Sequence, residues 1–560
     1  MKSSLTSTKG RVLAALSVPA ALLWGGGCRT HGTAAPAPTP ARAVEGGERV
    51  FVDEAAERGI RYSANEPTER PRDILETNGS GCAWLDYDSD GDLDALLVGR
   101  GLPALFRNDR GRFTDVTAET GLSLPGFWIG VGAADWDNDG DPDLCLSGYR
   151  CGAMLENREG RFVNVTRSSG VTFPTWGQSI AFGDVDRDGL LDLYIGAFAR
   201  FDPARDQRYC RHGDVSAVCG PELYQPEIGR FYRGLGGGRF REATRASGLH
   251  TAHGRTWGAM FQDFNDDGWP DLYLANDMIA GDLFLNQGAA GGAVGFKNIG
   301  IESGTAYDAN GRRQGGMGVD WGDYDNDGRS DLLVTTFSAQ ATALYRSDGS
   351  VFSEESYSAG VGGPTHPLVG FGARFLDFDH DGWRDLLVVN GHVEDNVEQL
   401  RSVERYRQPL LLLRNQQGKF HDVSAAALPG LREIVGRGAA FGDFDDDGRV
   451  DALVIDLEGQ PLLLRNCLES TGHWLGIRLR GTRSNRDGIG ARIRVTTGGR
   501  TQRLEAQPSG SLLSSNDPRV LVGLGGAPAA DRVEIDWPSG KRTRLRNVAG
   551  DQYLTIQEPE

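Results

Sequence analysis

Little in this chain points to catalysis. It carries no Gly-x-Ser-x-Gly, no His-Glu-x-x-His and no nucleotide-binding Gly loop. Histidine is sparse, with 9 residues in 560. Positive charge is short as well: 59 Lys and Arg face 77 Asp and Glu, a formal net charge of −18. That balance argues against nucleic acid, which needs clustered Lys and Arg against its phosphates. Long helical periodicity is missing beyond the N-terminus. The one apolar run there, Val12 to Trp24, is too short for a permanent membrane span.

Glycine, in contrast, is abundant at 79 residues, and hydrophobic residues make up 39%. Many short strands joined by Gly/Asp turns predict an all-β chain with ample core material. At the N-terminus Lys2, Lys9 and Arg11 precede the apolar run, and Gly25-Gly26-Gly27-Cys28 follows it. This reads as a lipoprotein-type signal over residues 1–28 with Cys28 lipidated; the alternative is an ordinary signal cut near Gly27 with Cys28 unmodified. Residues 29–47, rich in Ala, Pro and Thr, read as a flexible tether. With Cys28 acylated, six of the seven cysteines remain, and an exported chain permits disulfides. Cys210 with Cys219 is the first candidate pair and Cys145 with Cys151 the second, while Cys82 and Cys467 read as buried thiols. Spacing alone does not fix the pairing.

An Asp-rich nonapeptide recurs seven times, beginning at Asp86, Asp135, Asp184, Asp263, Asp323, Asp377 and Asp443. Successive copies lie 49, 49, 79, 60, 54 and 66 residues apart, a unit in the range of propeller blades. A second element, Phe-x-acid/amide with Gly about six residues on, repeats in phase, for example Phe113/Asp115/Gly121 and Phe240/Glu242/Gly248. A third, such as Leu105-Phe-Arg-Asn108 and Leu412-Leu-Arg-Asn415, precedes it. Each unit reads as four strands, and radial repetition of four-stranded units predicts a seven-bladed β-propeller over residues 48–467. Phe51-x-Asp53 is expected to add a strand to the last blade and close the ring. The segment 468–557 alternates apolar and polar residues and is expected to form a small β-sandwich.

Calcium takes six to eight hard oxygen ligands, and these loops supply them. Positions 1, 3 and 5 offer side-chain oxygens: Asp86, Asp88, Asp90; Asp135, Asp137, Asp139; Asp184, Asp186, Asp188; Asp263, Asn265, Asp267; Asp323, Asp325, Asp327; Asp377, Asp379, Asp381; and Asp443, Asp445, Asp447. Position 7 offers a backbone carbonyl, so its side chain varies freely: Asp92, Asp141, Leu190, Trp269, Arg329, Trp383 and Arg449. Position 9 adds Asp94, Asp143, Asp192, Asp271, Asp331, Asp385 and Asp451. Position 6 is Gly in every copy, where the turn around an ion requires positive φ. A bare Asp/Gly turn is the bland reading of one such loop, but seven in-phase copies favour up to seven Ca²⁺ ions. Mg²⁺ prefers a compact, watered octahedron, and transition metals favour His or Cys, which these loops lack apart from His380.

These features resemble the FG-GAP/VCBS repeats of integrin α chains and bacterial surface proteins. The tail, with His473-Trp-Leu, Gly481-Thr-Arg-Ser-Asn-Arg-Asp-Gly-Ile-Gly-Ala491, Ser509-Gly-Ser511, Gly523-Leu-Gly525 and Trp537-Pro-Ser-Gly540, resembles the ASPIC/UnbV domain that follows such repeats in the cartilage acidic protein family and its bacterial relatives. The resemblance implies calcium binding, export, and adhesion or ligand binding. The chain thus reads as a cell-surface binding, adhesion or scaffold module for an extracellular protein or glycan, and its N-terminal signal implies membrane contact through the lipid alone. The alternative is an extracellular enzyme acting on a glycan or envelope substrate in the propeller funnel. Its candidates are His392 and Glu394 of Gly391-His-Val-Glu-Asp395, with His366, His250 and His253; a turn histidine is the simpler reading of His392. Arg483, Arg486, Arg492 and Arg494 make the tail locally basic, as an anion site or, more often, a solvated sheet face.

Overall fold

The computed structural model describes residues 49–65, 73–206, 209–290, 293–401, 403–469 and 472–560. The export signal, Cys28 and the tether lie outside the described residues. Among those described, no helix is long and apolar enough to cross a membrane, and each α-helix spans four residues.

Seven antiparallel sheets follow one another along the described chain, five of four strands and two, the second and fourth, with a short fifth strand at Arg100–Gly101 and Gln314–Gly315. The first runs through Cys82–Leu85, Asp94–Leu97, Ala104–Asn108 and Phe113–Asp115. In every sheet the Asp-rich nonapeptide joins the first strand to the second, so its ninth residue opens the second strand. The seventh sheet has three consecutive strands, Gly436–Gly442, Asp451–Asp456 and Leu462–Asn466, and takes its fourth from the start of the chain. There Phe51 pairs with Asn466 and Asp53 with Leu464. First strands of successive sheets lie side by side, and that of the seventh lies beside that of the first.

The repeated sequence elements set these contacts. Apolar side chains of adjoining sheets interlock between them: Leu96 and Leu105 of the first pack with Val131 and Leu144 of the second. The Asn of the Leu-x-Arg-Asn element reaches one sheet back. Asn157 Nδ2 donates to Tyr87 O at 2.8 Å, Asn415 Nδ2 to Tyr324 O at 2.8 Å, and Asn466 Nδ2 to Phe378 O at 2.9 Å. Asn108 makes the same bond from the first sheet to Phe444 O of the seventh, at 2.8 Å. Each bond satisfies a buried carbonyl that the adjacent strands leave unpaired.

The longest interval between loops holds the hairpin Tyr209–His212 and Val215–Val218, where Cys210 and Cys219 form a disulfide. Cys145 and Cys151 are both free thiols, which corrects the second pairing. Although six positions apart, they sit on opposite faces of the second sheet. Cys145 lies in the cluster shared with the third sheet and Cys151 against the one shared with the first.

After Asn466 the chain enters a second all-β unit. One sheet orders Val520–Gly525, His473–Arg480 and Gln552–Gln557, with the last pair parallel; the other orders Arg500–Glu505, Arg492–Thr497, Ala529–Asp536 and Arg542–Ala549. Ile477, Val522, Ile493, Val533, Ile535 and Trp537 fill the space between them. Glu558, buried, accepts from the amides of Thr482, Arg483 and Ser484 at 2.7–2.9 Å, so the unit extends past residue 557. Burial raises this carboxyl, but the hydrogen bond from Ser539 Oγ and then the three amides outweigh it and hold it down at about 2.

From this unit the segment Gln507–Asp517 reaches into the seven sheets. Ser515 O accepts from Trp84 N, Leu513 O from Val131 N and Ser511 O from Val319 N. Ser179 Oγ accepts from Leu513 N, and Asn516 Oδ1 from Phe441 N. The segment thus touches first strands of five sheets, with Leu512 and Leu513 buried at 1% exposure among Trp176, Trp257 and Phe371. Gly81 makes room for it: a Cβ there would lie 1.8 Å from Leu513 O. A side chain at that position would displace the segment.

Candidate metal centre

Each nonapeptide folds on its own carboxylates. In the second loop Asp135 accepts from Asp139 N at 3.1 Å and from Gly140 N at 2.8 Å, and Asp139 accepts from Asp141 N at 3.0 Å. The same bonds recur in the fourth, fifth and seventh loops. The position-6 glycines have φ between +80° and +111° in all seven, the region that only Gly occupies freely. Position 4 is left-handed too, with φ between +55° and +66° at Ser89, Asn138, Arg187, Asp266, Asn326, His380 and Asp446.

Position 9 turns out to be the pin of each hairpin. Asp143 Oδ1 accepts from Asn157 N at 2.7 Å, Asp385 Oδ1 from Asn415 N at 2.7 Å and Asp451 Oδ1 from Asn466 N at 2.7 Å. The second oxygens of Asp143 and Asp271 are buried without a hydrogen-bond partner, as is Asp377 Oδ1. An unpartnered buried carboxylate oxygen is costly unless a cation or proton meets it. Candidate ligand sets converge in these loops: Asp135, Asp137 and Asp143 each bring an oxygen within 4.8 Å of the others, as do Asp323, Asp325, Asp331 and Asp377, Asp379, Asp385. In the first and third loops the group is Asp86, Asp88, Asp90 and Asp184, Asp186, Asp188. The donor set is all oxygen, which fits calcium.

Without a cation these carboxyls are held above the usual carboxylate range. Burial first, then neighbouring Asp charges, pushes Asp143 up to about 10, Asp137 to about 6 and Asp323 to about 7; burial, and next to it the charge of Asp487, lifts Asp135 to about 7. Burial likewise raises Asp94 to about 8, Asp184 to about 7 and Asp443 to about 7.

The loops are not equivalent. The Arg of the Leu-x-Arg-Asn element points its guanidinium back at them. Arg346 lies 2.5 Å from Asp325, and Arg414 lies 2.5 Å from Asp379. Arg233 pairs with Asp186 and, at 3.0 Å, with Asp192. In the second and fourth sheets that position is Glu156 and Leu285. The fourth loop instead receives Arg492, 2.8 Å from Asp263.

Position-4 side chains link loop to loop and loop to the C-terminal unit. Asn138 Nδ2 donates to Gly189 O and Asn326 Nδ2 to Gly382 O, both at 3.1 Å, and His380 Nε2 lies 2.9 Å from Gly448 O. Asn138 Oδ1 accepts from Arg486 N, Asp266 from Arg503 and Asp446 from Arg519. The C-terminal unit therefore docks on the Asp-loop face. The sequence gives no local signal for this, because position 4 is free to vary as far as a cation is concerned.

The histidines considered for a funnel site are dispersed. His392 is fully buried, accepts from Glu394 N at 3.0 Å and lies 3.0 Å from Glu404; burial pushes it down to about 4. Its partners are an amide and a carboxylate rather than a turn carbonyl. His253 lies against Asp282 and His366 against Tyr357 Oη, and His250 sits in a short 3₁₀ turn. Of the four basic tail positions, Arg492 and Arg494 pair with Asp263 and Asp536; Arg483 is exposed and Arg486 lines a cleft.

Comparison with known proteins follows the same division. The FG-GAP-like repeat family matches residues 86–146, 263–334, 323–388 and 377–454, and the ASPIC and UnbV family matches residues 481–560. Among curated proteins no relative matches. Among solved structures, an Agrocybe aegerita lectin described as recognising non-reducing terminal N-acetylglucosamine is 14% identical over 67% of this chain and 85% of its own, with a TM-score of 0.37. The extracellular domain of a putative one-component system of B. thetaiotaomicron is 9% identical over 88% of this chain and 58% of its own, with a TM-score of 0.37. These scores carry no inference about function. The chain thus carries FG-GAP-like repeats followed by a C-terminal ASPIC and UnbV domain.

Proposed function

We propose that this protein is an exported calcium-binding β-propeller of seven blades, carried at the cell surface by a lipid on Cys28, and that it binds an extracellular protein or glycan rather than catalysing a reaction. The observation that carries the reading is the set of buried, unpartnered carboxylate oxygens at converging Asp groups. Calcium would cancel charge that the protein otherwise neutralises only with protons and arginines. Asp135, Asp137 and Asp143 hold it in the second loop, and the corresponding residues do so in the others. Closure of the seven sheets into one ring is supported by the bond from Asn108 to Phe444 O and by the pairing of Phe51 with Asn466. The binding role is supported by the filling of the space among the first strands, where Leu512 and Leu513 occupy the place a funnel substrate would need.

The test is a thermal melt in calcium, in magnesium and in excess chelator, with metal analysis. Each site held at a hundredfold excess of calcium over its Kd adds about 2.7 kcal/mol. A rise specific to calcium, with bound calcium recovered after gel filtration, is the expected result. Equal melting in calcium and chelator would overturn the reading.

A further inference from the structure

Between the first two Asp loops and the C-terminal unit lies a cleft of about 390 Å³, within the size range of small-ligand pockets. Four arginines of the C-terminal unit line it, Arg478, Arg480, Arg486 and Arg519, and the last is held by Asp517. Arg478 and Arg480 alternate along their strand with Ile477 and Leu479, which are buried in the sandwich core. Period-two alternation therefore turns both guanidinium groups out of the core. Arg486 is fixed by its own amide, which donates to Asn138 Oδ1 at 2.8 Å, while the next residue, Asp487, accepts from Asp135 N at 2.9 Å. The turn that carries Arg486 is thus pinned to the second loop.

Other arginines of this unit find carboxylates. Arg492 has Asp263, Arg494 and Arg542 have Asp536, Arg503 has Asp266, and Arg519 has Asp517. Among the described residues, Arg478, Arg480 and Arg486 have no carboxylate within 4.0 Å and donate no side-chain hydrogen bond. The acids lining the cleft are Asp86, Asp90, Asp487 and Asp517; Asp86, Asp487 and Asp90 accept from the amides of Gly91, Asp135 and Asp92, and Asp517 pairs with Arg519. A cation in the first loop would neutralise Asp86 and Asp90 and leave Asp487 as the one carboxylate opposite the three guanidinium groups, an excess of positive charge, and this clause rests on the calcium reading above. Guanidinium groups pair with oxyanions through parallel, charge-assisted hydrogen bonds.

We propose that this cleft binds a small oxyanionic ligand, one bearing a carboxylate, sulfate or phosphate group, held by Arg478, Arg480 and Arg486 at the junction of the two domains. Binding there ties the C-terminal unit to the first two Asp loops.

The test titrates citrate, sulfate and inorganic phosphate into the purified protein by calorimetry, with glycerol as the uncharged control. It is run once with calcium and once with chelator. Saturable binding of at least one oxyanion is expected, stronger in calcium. Arg478→Gln should weaken it about tenfold or more, the loss of one charge-assisted bond. Arg478→Gln combined with Arg486→Gln should abolish it while leaving melting temperature and bound calcium unchanged. The oxyanion preferred distinguishes the three chemistries. No saturable binding in either condition, or binding that survives the double substitution, would overturn the proposal. If calcium still raises the melting temperature in that case, the calcium reading stands alone. If calcium has no effect but an oxyanion binds and the double substitution removes it, the arginine cleft stands and the calcium reading falls.

Discussion

In the second Asp loop the third strand of the sheet presents Glu156, whose charge adds to the rise of Asp137 even though it also pairs with Arg158. In the third loop the equivalent residue is Arg233, which reaches Asp186, Asp188 and Asp192. The local bonds are shared: Gly140 and Gly189 donate to Asp135 and Asp184, and Asn157 and Gly234 donate to Asp143 and Asp192. Loops built by one rule therefore differ in charge because of a residue 19 positions later in one (Asp137 to Glu156) and 47 in the other (Asp186 to Arg233), brought back by the hairpin. A resident guanidinium does part of what a cation would do, since it screens the carboxylates and occupies their oxygens. The second loop has no such substitute. Calcium should bind most tightly there and most weakly in the third.

The largest difference should come from removing one ligand in each loop. Asp137→Asn should weaken the tightest calcium event about a hundredfold, roughly 2.7 kcal/mol. Asp186→Asn should leave that event untouched. Calorimetric calcium titration of both variants reads this directly, and equal losses would break the comparison. Exchanging the charged partners sharpens it. Glu156→Arg should weaken the second loop about tenfold, while Arg233→Gln should add a calcium event that the parent protein lacks or binds weakly.

pH gives a smaller effect with a defined sign. Asp135, Asp137 and Asp143 are raised to about 7, 6 and 10 in the folded, metal-free loop, above the roughly 3.9 of an unfolded Asp. Their contribution to metal-free stability is full below the unfolded value and is lost as pH rises through 6 and 7 toward 10. Calcium displaces those protons, so its binding should release protons at neutral pH and weaken severalfold between about pH 7.5 and pH 6. Titrations in two buffers of different ionisation enthalpy should give different apparent heats. Identical heats would mean that the loop carboxyls are already ionised.

The sequence makes some of this legible and hides the rest for a physical reason. The loop glycines and the acids at positions 1, 3 and 5 are local: nine consecutive residues suffice to fold the turn, so Gly140 and Asp135 can be read from spacing alone. The tail strands around Ile477, Ile493 and Val533 are visible by alternation. Position 9 was legible as an acid but not as the pin that Asp143 forms with Asn157. The Leu-x-Arg-Asn element was visible too, yet its roles, Asn108 reaching the preceding sheet and Arg414 answering the loop, depend on register and sheet order. Cys145 and Cys151 look like neighbours until the hairpin register, with Cys145 opposite Met154, places them on opposite faces. The insertion of residues 507–517 among the first strands has no local signature, since Leu512 and Leu513 read as any buried pair.

The most direct test of the calcium account is a long-wavelength anomalous difference map from crystals grown with calcium. The account predicts a strong peak among the carboxylates of Asp135, Asp137 and Asp143, with the third loop weaker or bare. A folded protein with no peak in the second loop would contradict it.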